Sequence, residues 1–329
     1  MQIQDAKRNI RVLVVSLLAS MFFWVSVNAF DTATDAIIAW KFLENNPHLL
    51  GARLHSLELE KARENLLPYR APGAKDPQAQ AQAVAIFFVN KQGEQKQLFG
   101  YQEKESLPIA SITKLMTAVV ATSFIPNDTL IPIRHPVIGS GFWGQYRVGS
   151  SFRALDLLHP LLIESSNDAA TYFAQHIGEE EFVESMNETA TSMGLKSMYF
   201  SNPTGLDTAQ KDELNRGSAE DVASLVAYII HHRPDILRVL STQEFQLYTS
   251  DGQYHHTAQN TNRLLGYKEW PTRVIGGKTG TTSMAGECLV LILEAPKNKG
   301  YIVLVLLNSP NRFQEATDLV EWTYISHKW

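Results

Sequence analysis

The hydrophobic pattern of this chain changes twice, from short β-rich runs typical of strands to the helical period of about 3.6 residues and back. Two strand-like runs come first, a mostly helical pattern extends from residue 107 to about residue 240, and three more strand-like runs and a last helix follow. The strand-like runs are Val84–Val89, Gln97–Tyr101, Val274–Thr279, Cys288–Leu293 and Tyr301–Leu307, and the last helix is Gln314 to about Ser326. This order predicts a sheet covered by helices, with a helical subdomain inserted between its strands.

The first thirty residues have the pattern of an export segment. Lys7, Arg8 and Arg11 precede the uncharged, apolar stretch Val12–Val27, and small residues then precede a possible cleavage point after Ala29. We therefore expect residues 1–29 to be a signal peptide or an N-terminal membrane anchor, with any membrane contact made through residues 12–27. The predicted location is the periplasm or the extracytoplasmic face of the cell membrane.

Residues 30–83 differ in composition from the rest of the chain. A helical pattern is followed by a segment rich in Pro, Ala and Gln that has no apolar periodicity. We interpret residues 30–83 as a helical extension with a linker, and residues 84–329 as one catalytic domain.

Charge and cysteine content exclude several classes of protein. Lys and Arg total 29 against 34 Asp and Glu, a net charge of −5, so the chain has no overall basic field for nucleic acid. The single cysteine, Cys288, permits no internal disulfide, and no Cys/His spacing matches a structural zinc site. We expect no metal and no organic cofactor.

Three short elements carry the residues expected to do chemistry: Ser111-Ile112-Thr113-Lys114, Ser165-Ser166-Asn167 and Lys278-Thr279-Gly280. Ser111 opens a helical pattern, and a spacing of three places Lys114 over the same helix face. A serine hydroxyl needs a base, and no histidine lies near these elements in sequence. Lys114 can be that base only when neutral, a state that burial and a second cation such as Lys278 both favour.

The other residues of these elements suit supporting roles. The Ser165 hydroxyl can pass a proton to a leaving amine, and the Asn167 amide can orient Lys114 and a substrate amide. Lys278, Thr279 and Thr281 on an edge strand can hold a peptide and its carboxylate. The backbone N–H groups of Ser111 and Thr281 would then form an oxyanion hole.

Together the three elements resemble those of the penicillin-recognising serine enzymes, and within them the D-alanyl-D-alanine carboxypeptidase family. The resemblance extends over residues 84–329 and includes the flanking stretches Pro108–Ala118, Glu164–Ala170, Phe200–Asp207 and Gly277–Cys288. It implies the β-lactamase/transpeptidase-like fold, an α/β (α+β) arrangement in which an antiparallel sheet is flanked by helices and an all-helical subdomain is inserted between strands. It also implies a peptidoglycan stem peptide as substrate, an acyl-enzyme intermediate, and inhibition by β-lactam antibiotics.

Carried over by position, the resemblance implies Ser111 as nucleophile, Lys114 as base, and Ser165 and Asn167 as a proton relay. The implied substrate-binding residues are Lys278, Thr279, Gly280, Thr281 and Arg312. Arg312 resembles a family arginine that helps to hold the substrate carboxylate.

Departures from the family pattern leave alternatives open. Ser166 stands where the family usually has glycine, and we expect slight crowding of the relay there. The chain stops after its terminal helix, so we expect no C-terminal β-domain, an outline that also resembles the D,D-endopeptidases of the family.

A class A β-lactamase would need a carboxylate where Lys211 stands. A non-catalytic wall-binding protein would not need the reactive residues of all three elements. His255-His256 has no nearby set of carboxylates or cysteines in sequence that would suit a metal, and we expect it in a surface loop.

Overall fold

A computed structural model describes residue 41 and residues 67–135, 146–210 and 213–329. The predicted export segment 1–29, the helical extension before residue 67 and Lys211 lie outside the described residues. Leu67–Trp329 forms one of two units into which the chain divides. Within the described ranges, no helix combines the length and apolarity needed to cross a membrane.

The described residues form thirteen strands and seven helices, together with two short 3-10 turns at Ala110–Thr113 and Pro296–Asn298. The strands are β1 (Tyr69–Arg70), β2 (Ala83–Asn90), β3 (Gln95–Tyr101), β4 (Leu107–Pro108), β5 (Leu130–Pro132), β6 (Ser151–Arg153), β7 (Arg216–Gly217), β8 (Glu244–Tyr248), β9 (Tyr254–Gln259), β10 (Val274–Thr282), β11 (Gly286–Glu294), β12 (Gly300–Ser309) and β13 (His327–Lys328). The helices are α1 (Lys114–Phe124), α2 (Ala154–Leu162), α3 (Asn167–Ile177), α4 (Glu179–Ser192), α5 (Ala219–His232), α6 (Pro234–Leu240) and α7 (Arg312–Ser326).

Five strands form the central sheet in the order β10-β11-β12-β2-β3, and every neighbouring pair is antiparallel. The first hairpin joins the later strands through β2 and β12, where Ala85 lies opposite Val305. The helical segment from α1 to α6 is therefore inserted between strands of one sheet. This arrangement confirms the predicted fold class.

Both faces of the sheet are covered, so its inner strands are apolar at almost every position. On β2, Ala85 and Phe87 belong to the core shared with the inserted helices, whereas Ile86 and Phe88 belong to the core shared with α7. The same alternation holds along β11 and β12. Packing on two faces makes the sheet a rigid support for its edge strand β10, which carries Lys278.

Residues 67–82 pack on the catalytic unit, unlike the linker that the sequence suggests. β1 pairs with β13, and the Gln80 and Ala81 backbone N–H groups donate to the Glu315 carboxylate at 2.7 and 2.8 Å. Glu315 is only 3% exposed. The compact unit therefore begins before the expected residue 84. Backbone hydrogen bonds of this kind leave no apolar periodicity, so no local sequence pattern indicates the earlier start.

Candidate active site

Ser111 lies in the 3-10 turn Ala110–Thr113, which leads directly into α1. This location agrees with the helix start that the sequence predicts. Lys114, one turn further on, is fully buried, and its Nζ lies 2.9 Å from Ser111 Oγ. The spacing of three residues thus places the amine beside the hydroxyl, as expected.

Two more oxygen atoms contact the Lys114 amine. Asn167 Oδ1 lies 2.7 Å from Nζ, and the Thr204 carbonyl oxygen lies 2.5 Å from it. Asn167 is the first residue of α3, and Ser166 is the N-cap, whose hydroxyl accepts from the Ala169 N–H at 3.2 Å. Ser166, expected to crowd the relay, therefore has a capping role that glycine lacks a side chain to perform.

Lys278 on β10 makes the second lysine–serine contact. Its side chain is 1% exposed, and Nζ donates to Ser165 Oγ at 2.8 Å and to the Thr279 carbonyl at 2.7 Å. Ser165 has a φ of +68°, in the left-handed region that non-glycine residues seldom adopt. Strain of this type persists only where the surrounding structure holds it, and it is concentrated at functional sites.

Burial changes the charge state of both lysines. Desolvation lowers the pKa of Lys114 from its ordinary value of 10.5 to about 7. The pKa of Lys278 lies well below its ordinary value because of burial first, and then because of the nearby charges of Lys114 and Arg312. Near neutral pH a substantial fraction of the Lys114 side chains is therefore the free amine that a base requires.

The end of β10 brings together the predicted substrate-binding residues. Arg312, the first residue of α7, donates through Nη1 to the Gly280 carbonyl at 2.7 Å and to Thr281 Oγ1 at 2.5 Å. Gly280 lies against the Ala110–Thr113 turn, since a Cβ added there would be 3.1 Å from the Ser111 nitrogen. Thr279 Oγ1 lies 2.6 Å from the hydroxyl of Thr261. The tertiary structure thus brings all nine predicted site residues together in one connected group of contacts.

The loop Ser201–Asp207 contributes contacts that the sequence did not assign. It provides the Thr204 carbonyl beside Lys114, and the Asn202 side chain holds the loop by accepting from the N–H groups of Thr204 (3.1 Å) and Gly205 (2.8 Å). Asn215 Nδ2 links this loop to the Ala110–Thr113 turn, because it donates to the Asn202 carbonyl at 2.8 Å and to Thr113 Oγ1 at 3.0 Å. The available signal was the stretch Phe200–Asp207, which resembles the family but does not identify a carbonyl as the partner of Lys114.

One expectation about histidines is wrong. His255 and His256 lie on β9, not in a surface loop, and His256 Nε2 lies 3.0 and 2.9 Å from the two Glu164 carboxylate oxygens. Glu164 is 92 residues away in sequence, so only the folding of the β8–β9 hairpin against the Ser165 turn brings the two side chains together.

Known proteins share both the sequence and the fold of this chain. The family described as D-alanyl-D-alanine carboxypeptidase matches residues 72–311. The chain belongs to this family. The matched residues contain every predicted site residue except Arg312, which is the next residue after them.

Relatives in the family include both kinds of D,D-peptidase. A D-alanyl-D-alanine endopeptidase of Pseudomonas aeruginosa is 33% identical over 259 residues, covering 76% of this chain and 80% of that protein. The D-alanyl-D-alanine carboxypeptidase DacD of Escherichia coli is 33% identical over 230 residues, covering 65% of this chain but only 56% of that protein. A penicillin-binding protein of Listeria monocytogenes, solved in its ampicillin-bound form, is 25% identical with a TM-score of 0.64, covering 76% of this chain and 100% of that one.

Membership of the D-alanyl-D-alanine carboxypeptidase family confirms the predicted family and the predicted class of enzyme, a serine-type hydrolase. The penicillin-binding relatives agree with the central antiparallel sheet and its covering helices.

Proposed function

We propose that Ser111 attacks the carbonyl of the penultimate D-Ala of a peptidoglycan stem peptide ending in D-Ala-D-Ala. The terminal D-Ala leaves, an acyl-enzyme forms on Ser111 Oγ, and water then hydrolyses it. The observation that carries this proposal is the contact of 2.9 Å between Ser111 Oγ and the buried Lys114 amine.

The hydrogen bonds of Lys114 support its role as the base. A neutral amine has two N–H groups and one lone pair. The Thr204 carbonyl and Asn167 Oδ1 can only accept, so they take both N–H groups. The lone pair is then left for the proton of the Ser111 hydroxyl, which becomes a better nucleophile as it loses that proton.

Ser165 and Lys278 are proposed to return the proton to the departing amine. Ser165 Oγ accepts a hydrogen bond from Lys278 Nζ at 2.8 Å, so its own O–H remains available to donate. A hydroxyl held in this way can give its proton to the leaving nitrogen and recover one from the lysines. Asn167 keeps Lys114 in place during the transfer.

The edge of β10 is proposed to hold the substrate. A peptide laid along Lys278–Thr281 would extend the sheet by one strand, with the carbonyl oxygen between the N–H groups of Ser111 and Thr281. The hydroxyls of Thr279 and Thr281 and the backbone at Gly280 line this edge, and Arg312 contacts both Gly280 and Thr281. The Arg312 guanidinium supplies a cation at the point where the terminal carboxylate of the substrate would lie.

A fluorescent penicillin tests the proposal, since a penicillin would acylate the same serine as the substrate. The ampicillin-bound form of the Listeria relative supports the choice of probe. We expect the label on the peptide that contains Ser111 and no label on folded Ser111→Ala protein. Label on another residue, or none on the folded wild type, would overturn the proposal.

The D,D-endopeptidase reaction is the second candidate function, in which the same chemistry cuts peptidoglycan crosslinks. It is favoured by the fuller match to the Pseudomonas endopeptidase, of which the chain covers 80%, than to the Escherichia coli carboxypeptidase, of which it covers 56%. Release of free D-alanine from a pentapeptide indicates the carboxypeptidase, whereas loss of crosslinked dimers without that release indicates the endopeptidase.

The proposed location follows from the substrate and from the export segment. Peptidoglycan lies outside the cytoplasmic membrane, and residues 1–29 would direct the chain there and either be removed or remain as an anchor. N-terminal sequencing of the protein from membrane and periplasmic fractions tests this. A mature N-terminus near residue 30 indicates cleavage, and an intact terminus in the membrane fraction indicates an anchor.

A further inference from the structure

A buried acidic group directly precedes the relay serine. The Glu164 side chain is 5% exposed, and both carboxylate oxygens face His256 Nε2, whose side chain is 20% exposed. A buried carboxylate without a partner costs several kcal/mol, on the order of the penalty for any unpaired buried ion. His256 is therefore the group that allows Glu164 to stay inside.

The backbone around Glu164 is held from the same side. The Ile163 carbonyl accepts from the Thr261 N–H at 2.9 Å and from its hydroxyl at 3.2 Å, and the Ser166 N–H donates to the Pro160 carbonyl at 2.8 Å. Thr261 follows β9 and also contacts Thr279. The Glu164–His256 contact is thus the side-chain part of a clamp between the β9 segment and the Ser165 turn.

The orientation of the His256 ring makes Nε2 the donor of this contact, because a carboxylate oxygen can only accept. The other ring nitrogen, Nδ1, lies 2.6 Å from His255 Nδ1, so one proton is shared between the two rings. His255 in turn stacks on the ring of Tyr146 at 4.7 Å, which covers the outer side of the pair.

We propose that His256, acting through Glu164, is a positioning residue that aims the Ser165 hydroxyl at Lys278. The backbone at Ser165 is in a strained conformation, with a φ of +68°. Loss of the Glu164–His256 contact would remove the side-chain part of the clamp on this strained turn, and Ser165 Oγ would no longer be held 2.8 Å from the Lys278 amine. This inference rests on the proposed function, because it assigns a second support to the proposed relay.

The acylation kinetics of full-length His256→Ala test the inference with a fluorescent penicillin. We expect the first-order acylation rate to fall about ten- to hundred-fold, as expected when a reacting group is misplaced by roughly 1 Å, while the dissociation constant of the non-covalent complex stays within about twofold. His256→Gln, whose amide N–H can replace the Nε2 donor, is expected to recover most of the rate. His232→Ala, which removes one of another histidine pair at the exposed end of α5, is the matched control and should acylate as the wild type does.

A double-variant cycle separates positioning from general destabilisation. Glu164→Ala combined with His256→Ala should lose no more rate than the slower single variant, because the two residues act as one unit. A purely structural role would lower the fraction of protein that takes label but not the rate at which the folded fraction reacts. Wild-type rate in His256→Ala, or no recovery in His256→Gln, would overturn the positioning role. Absence of label at Ser111 in the wild type would instead overturn the proposed function.

Discussion

Lys114 is the residue on which the chemistry of this site depends. It is fully buried, and its amine contacts three oxygen atoms from three different segments of the chain. None of those three partners is a carboxylate, and desolvation by burial lowers the pKa of Lys114 to about 7. This lowered pKa is what the proposed role of Lys114 as a base requires near neutral pH.

The pH dependence of acylation follows from this pKa. Because only neutral Lys114 can accept the Ser111 proton, the acylation rate should rise with pH through about 7 and level off above it. Below that pH the rate should fall about tenfold per unit. Stopped-flow labelling with a fluorescent penicillin between pH 5 and 9 measures this profile. A rate that stays constant from pH 5 to 7 would contradict the role of Lys114 as base.

The stability of the protein should depend on the same proton. Between pH 7 and 10.5 the unfolded chain keeps Lys114 protonated and the folded chain does not, so unfolding takes up a proton there. Relative to its value above pH 10.5, the free energy of unfolding therefore falls progressively as the pH is lowered from 10.5, and the loss is complete at about pH 7. Urea denaturation at several pH values should show the free energy of unfolding of the wild type falling, relative to Lys114→Met, as the pH is lowered through that range. Parallel curves would contradict the lowered pKa.

The backbone of the loop Ser201–Asp207 packs closely against the backbone of the Ala110–Thr113 turn, which contains Ser111. Gly205 has a φ of +80°, and a Cβ added there would lie 2.0 Å from the Ala110 carbonyl oxygen. Only glycine satisfies both conditions. The same close packing places the neighbouring Thr204 carbonyl against the Lys114 amine, so a shift of the loop would also move a hydrogen-bond partner of Lys114.

Gly205→Ala should therefore cost both stability and acylation. Gly194→Ala is a matched control, because Gly194 has a φ of +73° but nothing within 4 Å of an added Cβ. The control should lose about 1 kcal/mol of unfolding free energy from backbone strain alone, with an unchanged acylation rate. Gly205→Ala should lose more, and its folded fraction should acylate more slowly. Equal losses in stability and equal rates for the two variants would contradict the close-approach argument.

The first and last segments of the unit Leu67–Trp329 pack against each other on the central sheet. The chain enters through residues 67–82, β2 joins β12 in the central sheet, and α7 covers the outer face. Glu315 on α7 joins these parts, since its carboxylate accepts from the backbone of Gln80 and Ala81 and from Ser309 Oγ at 2.6 Å. α7 also begins with Arg312, so the packing of this helix places the Arg312 guanidinium beside Gly280 and Thr281 on β10.

Glu315→Ala should destabilise the whole unit. It leaves the backbone N–H groups of Gln80 and Ala81 without this acceptor, and the loss at the buried Ala81 donor should cost about 1–3 kcal/mol, whereas water can replace the acceptor at the exposed Gln80. Glu321→Ala, an exposed position on the same helix, is the control and should change the unfolding free energy by less than about 0.5 kcal/mol. Urea denaturation gives both values, and limited proteolysis should cut residues 67–82 sooner in the Glu315 variant. Equal stabilities for the two variants would show that this carboxylate does not hold the segment.

Local patterns were sufficient to predict much of the fold. Short β-rich runs predicted the five strands of the central sheet, and the spacing of Ser111 and Lys114 predicted their contact, because both relations depend on neighbours in sequence. Residues 67–82 escaped prediction because their contacts are backbone hydrogen bonds to a distant carboxylate. The contact between His256 and Glu164 was not predicted either, because the sequence of the β8–β9 hairpin does not indicate which segment the hairpin packs against.

The sequence by itself determined the order of the elements, the family and the identity of the reactive side chains, since these are written in short motifs and in local periodicity. Only the tertiary structure decided which groups meet. It brought the Thr204 carbonyl to Lys114 across 90 residues and Lys278 to Ser165 across 113 residues. It also removed both lysines from water, and the physical reason for their lowered pKa is that burial, which no single segment of the chain can produce alone.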